Sequence, residues 1–366
     1  SGRMDHDVIT FQSTITALPN ASLSLLDFDL RLRGVPFVYL SDSQNVVIIP
    51  ENQEIVMKKD RDFLFSGVVR AGNFHFQTKG SAFDYETFRI SMPTIDSMRF
   101  RVRSFTPDNN GFYTWMPVQT ALQDLSGELL IDYPKNKSGK DPHPEYPIFK
   151  CGTEAFVYYD QPSIYGGVYE RERFYYRIDP FTIDSLDNFS TNALSFAGYL
   201  NSAGIFPDIH MPLKVQPDYS LGFVTQTPIS GYPIYGGKGK YSNVIDLSNK
   251  GLRGRGELHY LNATAHSQEF LFFPDSSEAM LSTLDMESVS KGVMYPDVQG
   301  EQVAMTWLPY EDHMMLTTTS RPMQMYAREA RLDGMLRLSP LGLNGKGSMQ
   351  FDKAVMESDG YSFMHR

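Results

Sequence analysis

The chain has 366 residues, a net charge of −10 and an isoelectric point near 5.3, with 28 glycines, 22 prolines and 13% aromatic residues. Such a length can bury a large core, in two or three domains or in one elongated array. The acidic balance without a basic run excludes a nucleic-acid backbone binder, no stretch approaches the ~18 apolar residues of a membrane-spanning helix, and a single cysteine, Cys151, excludes a disulfide scaffold.

In chain order, Ser1-Gly-Arg-Met4 lacks an initiator methionine and reads as a processed or expression-derived end, with no signal peptide visible. Phe65-Ser-Gly67 opens the alternating stretch Val68-Val-Arg-Ala-Gly-Asn-Phe-His-Phe76. The same order, large apolar, then small or polar, then glycine, recurs at Leu125-Ser-Gly127, Phe196-Ala-Gly198 and Leu332-Asp-Gly334, and is expected to open strands. Turn-rich Thr106-Pro-Asp-Asn-Asn-Gly111 and Thr227-Pro-Ile-Ser-Gly231 set module boundaries near 115 and 230, giving β modules 1–115, 116–230 and 231–366. Thr114 to Asp124 and Ser276 to Ser290 are candidates for short helices, the second behind the start signal Pro274-Asp-Ser-Ser.

The third module contains a phrase that occurs twice. Gly251-Leu-Arg-Gly-Arg-Gly-Glu-Leu-His-Tyr-Leu-Asn-Ala263 returns as Gly342-Leu-Asn-Gly-Lys-Gly-Ser-Met-Gln-Phe-Asp-Lys-Ala354, and the copies extend over 251–272 and 342–363. Aligned from Leu247 and Leu338, they share nine identities in 26 positions. Duplication of this kind marks an architecture built from one supersecondary unit. Alternation in Leu336-Arg-Leu338 and Ser348-Met-Gln-Phe351 predicts strands, and Ser339-Pro-Leu-Gly342 predicts a turn. Gly251, Gly254 and Gly256, matched by Gly342, Gly345 and Gly347, are predicted structural positions where the backbone bends or a neighbour comes close. The predicted fold is all-β: an elongated array of strand–turn–strand repeats, as a β-solenoid or an open β-jellyroll or groove, with stacked β-sandwiches as the alternative. The array is expected to continue beyond Arg366 into a longer parent chain.

Candidate chemistry concentrates in 154–181. Tyr158, Tyr159, Tyr165, Tyr169, Tyr175 and Tyr176, with Glu170 and Glu172, form the densest aromatic and acidic region. One reading is a carbohydrate platform, in which rings stack on sugars and the two glutamates, sharing a strand face at spacing two, bind hydroxyls or act as a glycosidase pair. The plainer reading is cross-strand aromatic pairing with solvated charges. Elsewhere, Glu257, His259 and His266 offer at most two ligands on one side, so no metal set is identified. Gly251-Leu-Arg-Gly-Arg-Gly256 lacks the continuation of a nucleotide-binding loop, and Cys151 has no histidine nearby in sequence. No catalytic residue or cofactor is therefore assigned, and the enzyme question stays open. The 18 methionines read as core filler, with an acyl-chain groove as the other use.

Gly237-Lys-Gly-Lys-Tyr-Ser-Asn-Val-Ile-Asp-Leu-Ser-Asn-Lys-Gly-Leu-Arg-Gly-Arg-Gly256, Phe272-Phe-Pro-Asp-Ser276, Trp307-Leu-Pro-Tyr-Glu-Asp312 and Tyr165-Gly-Gly-Val-Tyr-Glu170 resemble segments of very long, uncharacterised envelope proteins of Bacteroidetes. The resemblance covers roughly residues 30 to 366. The Gly-x-Gly units are also loosely similar to OstA-like lipopolysaccharide-transport modules. These resemblances imply a non-enzymatic structural or binding component of a cell-envelope or surface assembly, in the periplasm or on the surface of a Gram-negative bacterium. Its partners would be other envelope proteins or the rest of the parent chain, with lipid or glycan as ligands. A periplasmic lipid conduit and a carbohydrate-active enzyme or glycan-binding module are the alternatives.

Overall fold

The structure is a computed structural model that describes residues 9, 11–15, 19–41 and 44–365. Ser1-Gly-Arg-Met4 and Arg366, on which the expectations about the two ends rest, lie outside the described residues. The chain is all-β: its elements are strands joined by turns and short 3-10 segments, with no α-helix among the described residues. No helix is long and apolar enough to cross a membrane. Two compact units divide the chain, one comprising Ser1–Tyr158, Tyr176–Tyr199 and Pro212–Leu221, the other Tyr159–Tyr175, Leu200–Met211 and Gly222–Arg366. The last boundary between them falls at Leu221 and Gly222, a few residues before the module boundary read near 230, and none falls near 115.

In the first unit the long antiparallel neighbours are Phe63–Ala71, Phe74–Asp84, Arg89–Arg103 and Leu122–Leu130. Their residues alternate between buried and exposed, as expected of strands with one face on a core. Phenylalanine rings run through that core among aliphatic side chains. Phe63 stacks on Phe83 with ring centroids 4.8 Å apart, Phe74 on Phe100 at 5.2 Å, and Phe76 meets Phe149 at 4.7 Å. Offset and tilted ring pairs of this kind add to the stabilisation that burial alone gives.

The sheet of the second unit follows chain order from Leu221–Gln226 through Gly239–Ser248, Gly251–Tyr260, Ala263–Phe272, Ser277–Met286, Val298–Leu308, His313–Thr318, Ala330–Ser339 and Gly342–Phe351 to Ala354–Phe363. Every pairing is antiparallel, so each strand meets the strand just made. Trp307 is fully buried and packs against Tyr260 at 5.1 Å and Tyr235 at 5.2 Å. A β-carbon on Gly239 would lie 2.6 Å from the Trp307 ring. The sheet therefore coils until the inner face of Val298–Leu308 reaches that of Gly239–Ser248. Met286, Met305, Met314, Met323 and Met325 are buried in the core of this unit, the role the methionine count suggested.

The two copies of the repeated phrase fold alike. Gly239–Ser248, Gly251–Tyr260 and Ala263–Phe272 correspond to Ala330–Ser339, Gly342–Phe351 and Ala354–Phe363, all ten residues long and joined by two-residue turns. Gly256 pairs with Ser267 and Gly254 with Phe270, so Arg255 alone opposes two residues, Gln268 and Glu269, on the other strand. Gly347 pairs with Ser358 and Gly345 with Tyr361, which is the same one-residue bulge. The first unit holds a hairpin of the same register that the sequence did not mark as a copy: Gly67 pairs with Thr78 and Phe65 with Ser81. Leu125 and Gly127 flank a fourth such shift, against Ile95 and Met92. The large-small-glycine triplets at 65–67 and 125–127 thus mark mid-strand bulges, and Gly334 also lies mid-strand, whereas Gly198 alone of the four opens a strand.

Both predicted helices are strands. Ser277–Met286 pairs on both sides, with Ala263–Phe272 and Val298–Leu308, and buries Leu281, Leu284 and Met286. Two flanking strands leave its backbone no reason to turn inward for hydrogen bonds, so pairing overrides local propensity. Residues 114–124 contain Trp115–Pro117 and the start of Leu122–Leu130, both in the sheet.

The repeat glycines separate by environment. Gly347 has φ +127° and its β-carbon would fall 2.3 Å from the Asp333 carbonyl oxygen, whereas Gly342, at φ +137°, has nothing within 4 Å. Gly347→Ala combines backbone strain with a backbone clash and is expected to cost about 2 kcal/mol or more. Gly342→Ala carries strain alone and should cost less. Denaturant midpoints of the two variants against the parent chain check the order.

Candidate functional site

Ala354–Phe363 closes the described sheet and pairs with Gly342–Phe351 alone. Its counterpart Ala263–Phe272 is covered on that side by Ser277–Met286, through pairs such as Phe272 with Ser277, Ala265 with Leu284 and Ala263 with Met286. The difference is visible residue by residue. Ala265 is 0% exposed, while Met356, at the equivalent inward position, is 46% exposed. Val355, on the opposite face, is 64% exposed.

The bulge prepares this edge locally. Glu269 N–H donates to Ser267 Oγ at 3.1 Å, and Gly360 N–H donates to Ser358 Oγ at 3.1 Å. Ser267 Oγ also lies 2.7 Å from the Met280 carbonyl oxygen on the next strand, which can accept its proton. Ser358 Oγ has the Gly360 carbonyl oxygen of its own bulge as acceptor, at 3.2 Å. An uncovered edge of ten residues presents unpaired backbone donors and acceptors, the groups through which strand addition works.

The aromatic region 154–181 is organised differently from a platform. Tyr159, Tyr169 and Tyr176 are fully buried and offer no face to a ligand. Tyr169 packs on Phe174 at 4.4 Å, and Phe174 meets Tyr159 at 5.9 Å. Tyr169 Oη donates to the Phe272 carbonyl oxygen at 2.9 Å and accepts from Leu252 N–H at 3.0 Å, so it bridges two strands of the second unit. Tyr165 is half exposed and stands edge-on to Phe273 at 5.1 Å. In the first unit, Tyr158 Oη donates to Asp124 Oδ2 at 2.9 Å and Tyr176 Oη to the Phe196 carbonyl oxygen at 3.3 Å; Tyr175, in the second unit, is half-buried. Glu170 and Glu172 are exposed and flank a turn, so they do not share a strand face. Density of aromatic residues reflected a core and its brace.

The Glu257 carboxylate contacts both His259 Nε2 and His266 Nε2, the latter at 3.2 Å, and Thr264 Oγ1 lies 3.0 Å from His259 Nδ1. Strand pairing explains the meeting: Glu257 opposes His266 and His259 opposes Thr264. The second histidine comes from another strand, so spacing along one strand could not show it. Among the described residues no group of three or more His, Cys, Asp or Glu side chains is arranged to hold a metal ion. Cys151 is buried and its thiol is pushed up by desolvation, which disfavours a reactive thiolate. Comparison of the chain with protein-family models, curated proteins and solved structures finds no match.

Two outcomes follow. Tyr169→Phe removes a hydroxyl that satisfies Leu252 N–H and the Phe272 carbonyl, and is expected to destabilise the chain by about 1–3 kcal/mol in denaturant unfolding. Cys151 should resist a thiol reagent in the native chain and react only once the chain is unfolded in guanidinium, as a timed thiol titration would read.

Proposed function

We propose that this chain is a structural and binding component of a bacterial cell-envelope or surface assembly, joined to its partner by strand addition at Ala354–Phe363. One observation carries the reading. That strand keeps the register of Ala263–Phe272 yet lacks the neighbour that Ser277–Met286 provides there. The occupant is an antiparallel strand patterned like Ser277–Met286, with a small residue opposite Phe363 and an apolar one opposite Met356. Covering Met356 supplies apolar burial, and the backbone ladder supplies register. A placement in the periplasm or on the surface of a Gram-negative cell, in a longer repeat array, is supported by the resemblance of the phrases at 165–170, 237–256, 272–276 and 307–312 to Bacteroidetes envelope proteins.

The buried Cys151 makes a selective test practicable. Val355→Cys places the sole exposed thiol on the edge strand. A short thiol-to-amine cross-linker, applied in the cells that make the protein, should join position 355 to an extended segment of an envelope protein or of the parent chain itself. Cross-linking should fall several-fold when Glu357→Pro removes an edge N–H. A cross-link yield at position 355 no higher than at an exposed turn such as position 172, or one indifferent to Glu357→Pro, would sink the reading.

A further inference from the structure

The outer face of the second unit carries a cavity of 530 Å³ lined mainly by charged and amide side chains. Cross-strand pairing builds it. Asp285 opposes Gln299, Gln299 opposes Gln324, and Gln324 opposes Arg331, so four polar side chains stand in one row across four strands. At the strand spacing of a sheet the row is roughly 14 Å long. Arg321 and Arg328 enter from the turns beside it. The two are held differently. Arg321 is paired with Glu301, whereas Arg328 reaches Gln299 Oε1 through Nε and Nη2 at 3.4 Å each. Among the described residues no hydrogen bond or ion pair engages the side chains of Arg331, Gln324 or Asp285.

We propose that this cavity binds a carboxylate-bearing sugar. The inference is independent of the strand edge. Arg331 and the Asp285 carboxylate stand at opposite ends of the row, and the Arg328 guanidinium reaches in at Gln299, the neighbour of Asp285. A guanidinium holds a carboxylate through paired N–H bonds, and a carboxylate accepts from sugar hydroxyls. Between them Gln324 offers an amide that both donates and accepts, and Gln299, whose Oε1 accepts from Arg328, offers its amide N–H groups, which suits a ring bearing hydroxyls on successive carbons. Leu284 and Pro322 are the apolar members of the lining, so an acyl chain finds no apolar wall. No aromatic ring lines the cavity either, so a neutral sugar loses the stacking that usually holds it, and the charge becomes the discriminating contact.

Calorimetric titration with digalacturonate, digalactose and a tetraglutamate peptide tests the assignment on the intact chain. Digalacturonate should saturate, with digalactose at least about tenfold weaker, since one charge-assisted contact is worth that much. Arg331→Ala and Arg328→Ala should each weaken digalacturonate about tenfold. Asp285→Ala should weaken the sugar and leave the peptide unweakened. All three positions are exposed, and an unchanged near-UV circular dichroism spectrum confirms folding. Failure of digalacturonate to saturate, equal binding of digalactose, or peptide binding as tight as the acidic sugar would each overturn the proposal.

Discussion

A carbonyl oxygen occupies the place of a missing β-carbon at each repeat of the second sheet. A β-carbon on Gly256 would lie 2.1 Å from the Ser242 carbonyl oxygen, and one on Gly347 would lie 2.3 Å from that of Asp333. Both glycines have positive φ, at +158° and +127°, and each begins the step where the next strand carries one extra residue. The bulge therefore cannot slide. A shift by one position would push a side chain into a neighbouring backbone and turn the whole inner face outward. Register fixed at Gly256 decides that Leu252 meets Phe272 and that Leu258 meets Ala265, and the coiled core around Trp307 depends on those layers.

Around this frame, tyrosines tie loops to strands. Tyr169 bridges Leu252 and Phe272, and Tyr235 Oη lies within reach of the Phe273 and Ser276 carbonyl oxygens, at 2.9 and 2.6 Å. Tyr165-Gly-Gly167 and Tyr235-Gly-Gly237 share one backbone shape, with positive φ at all three residues, and both tyrosines approach the turn that begins at Phe272. Burial drives the Tyr169 and Tyr235 phenols far above their ordinary range, so these contacts persist through any physiological pH.

The strands were legible because alternation and turn residues are local signals. So was the importance of Gly256 and Gly347, since glycine in a strand has few reasons to be there. The matching hairpin at 63–83 escaped notice because its side chains differ: Phe65 stands where Gly254 and Gly345 do, and only Gly67 and a hydroxyl at Thr78 persist. Ser277–Met286 reads as a helix in sequence because its buried Ser277, Leu281 and Leu284 fall at i, i+4 and i+7, a helical spacing, while Met280 puts an apolar residue on the solvated face. The polar cavity was invisible for another reason. Asp285, Gln299, Gln324 and Arg331 come from four strands, and neighbours across a sheet leave no spacing rule along the chain.

The acidic residues of the uncovered strand bear on how the protein behaves when concentrated. Two copies pairing antiparallel through Ala354–Phe363 about Ser358 would set Glu357 of each against Asp359 of the other. Like charges directly opposed across a ladder are destabilising. The one-residue bulge at that point also breaks the flat, in-register stacking that fibrils require. Charge and bulge together thus work against self-pairing in that register, a safeguard against aggregation for a chain with a ten-residue strand uncovered on one side.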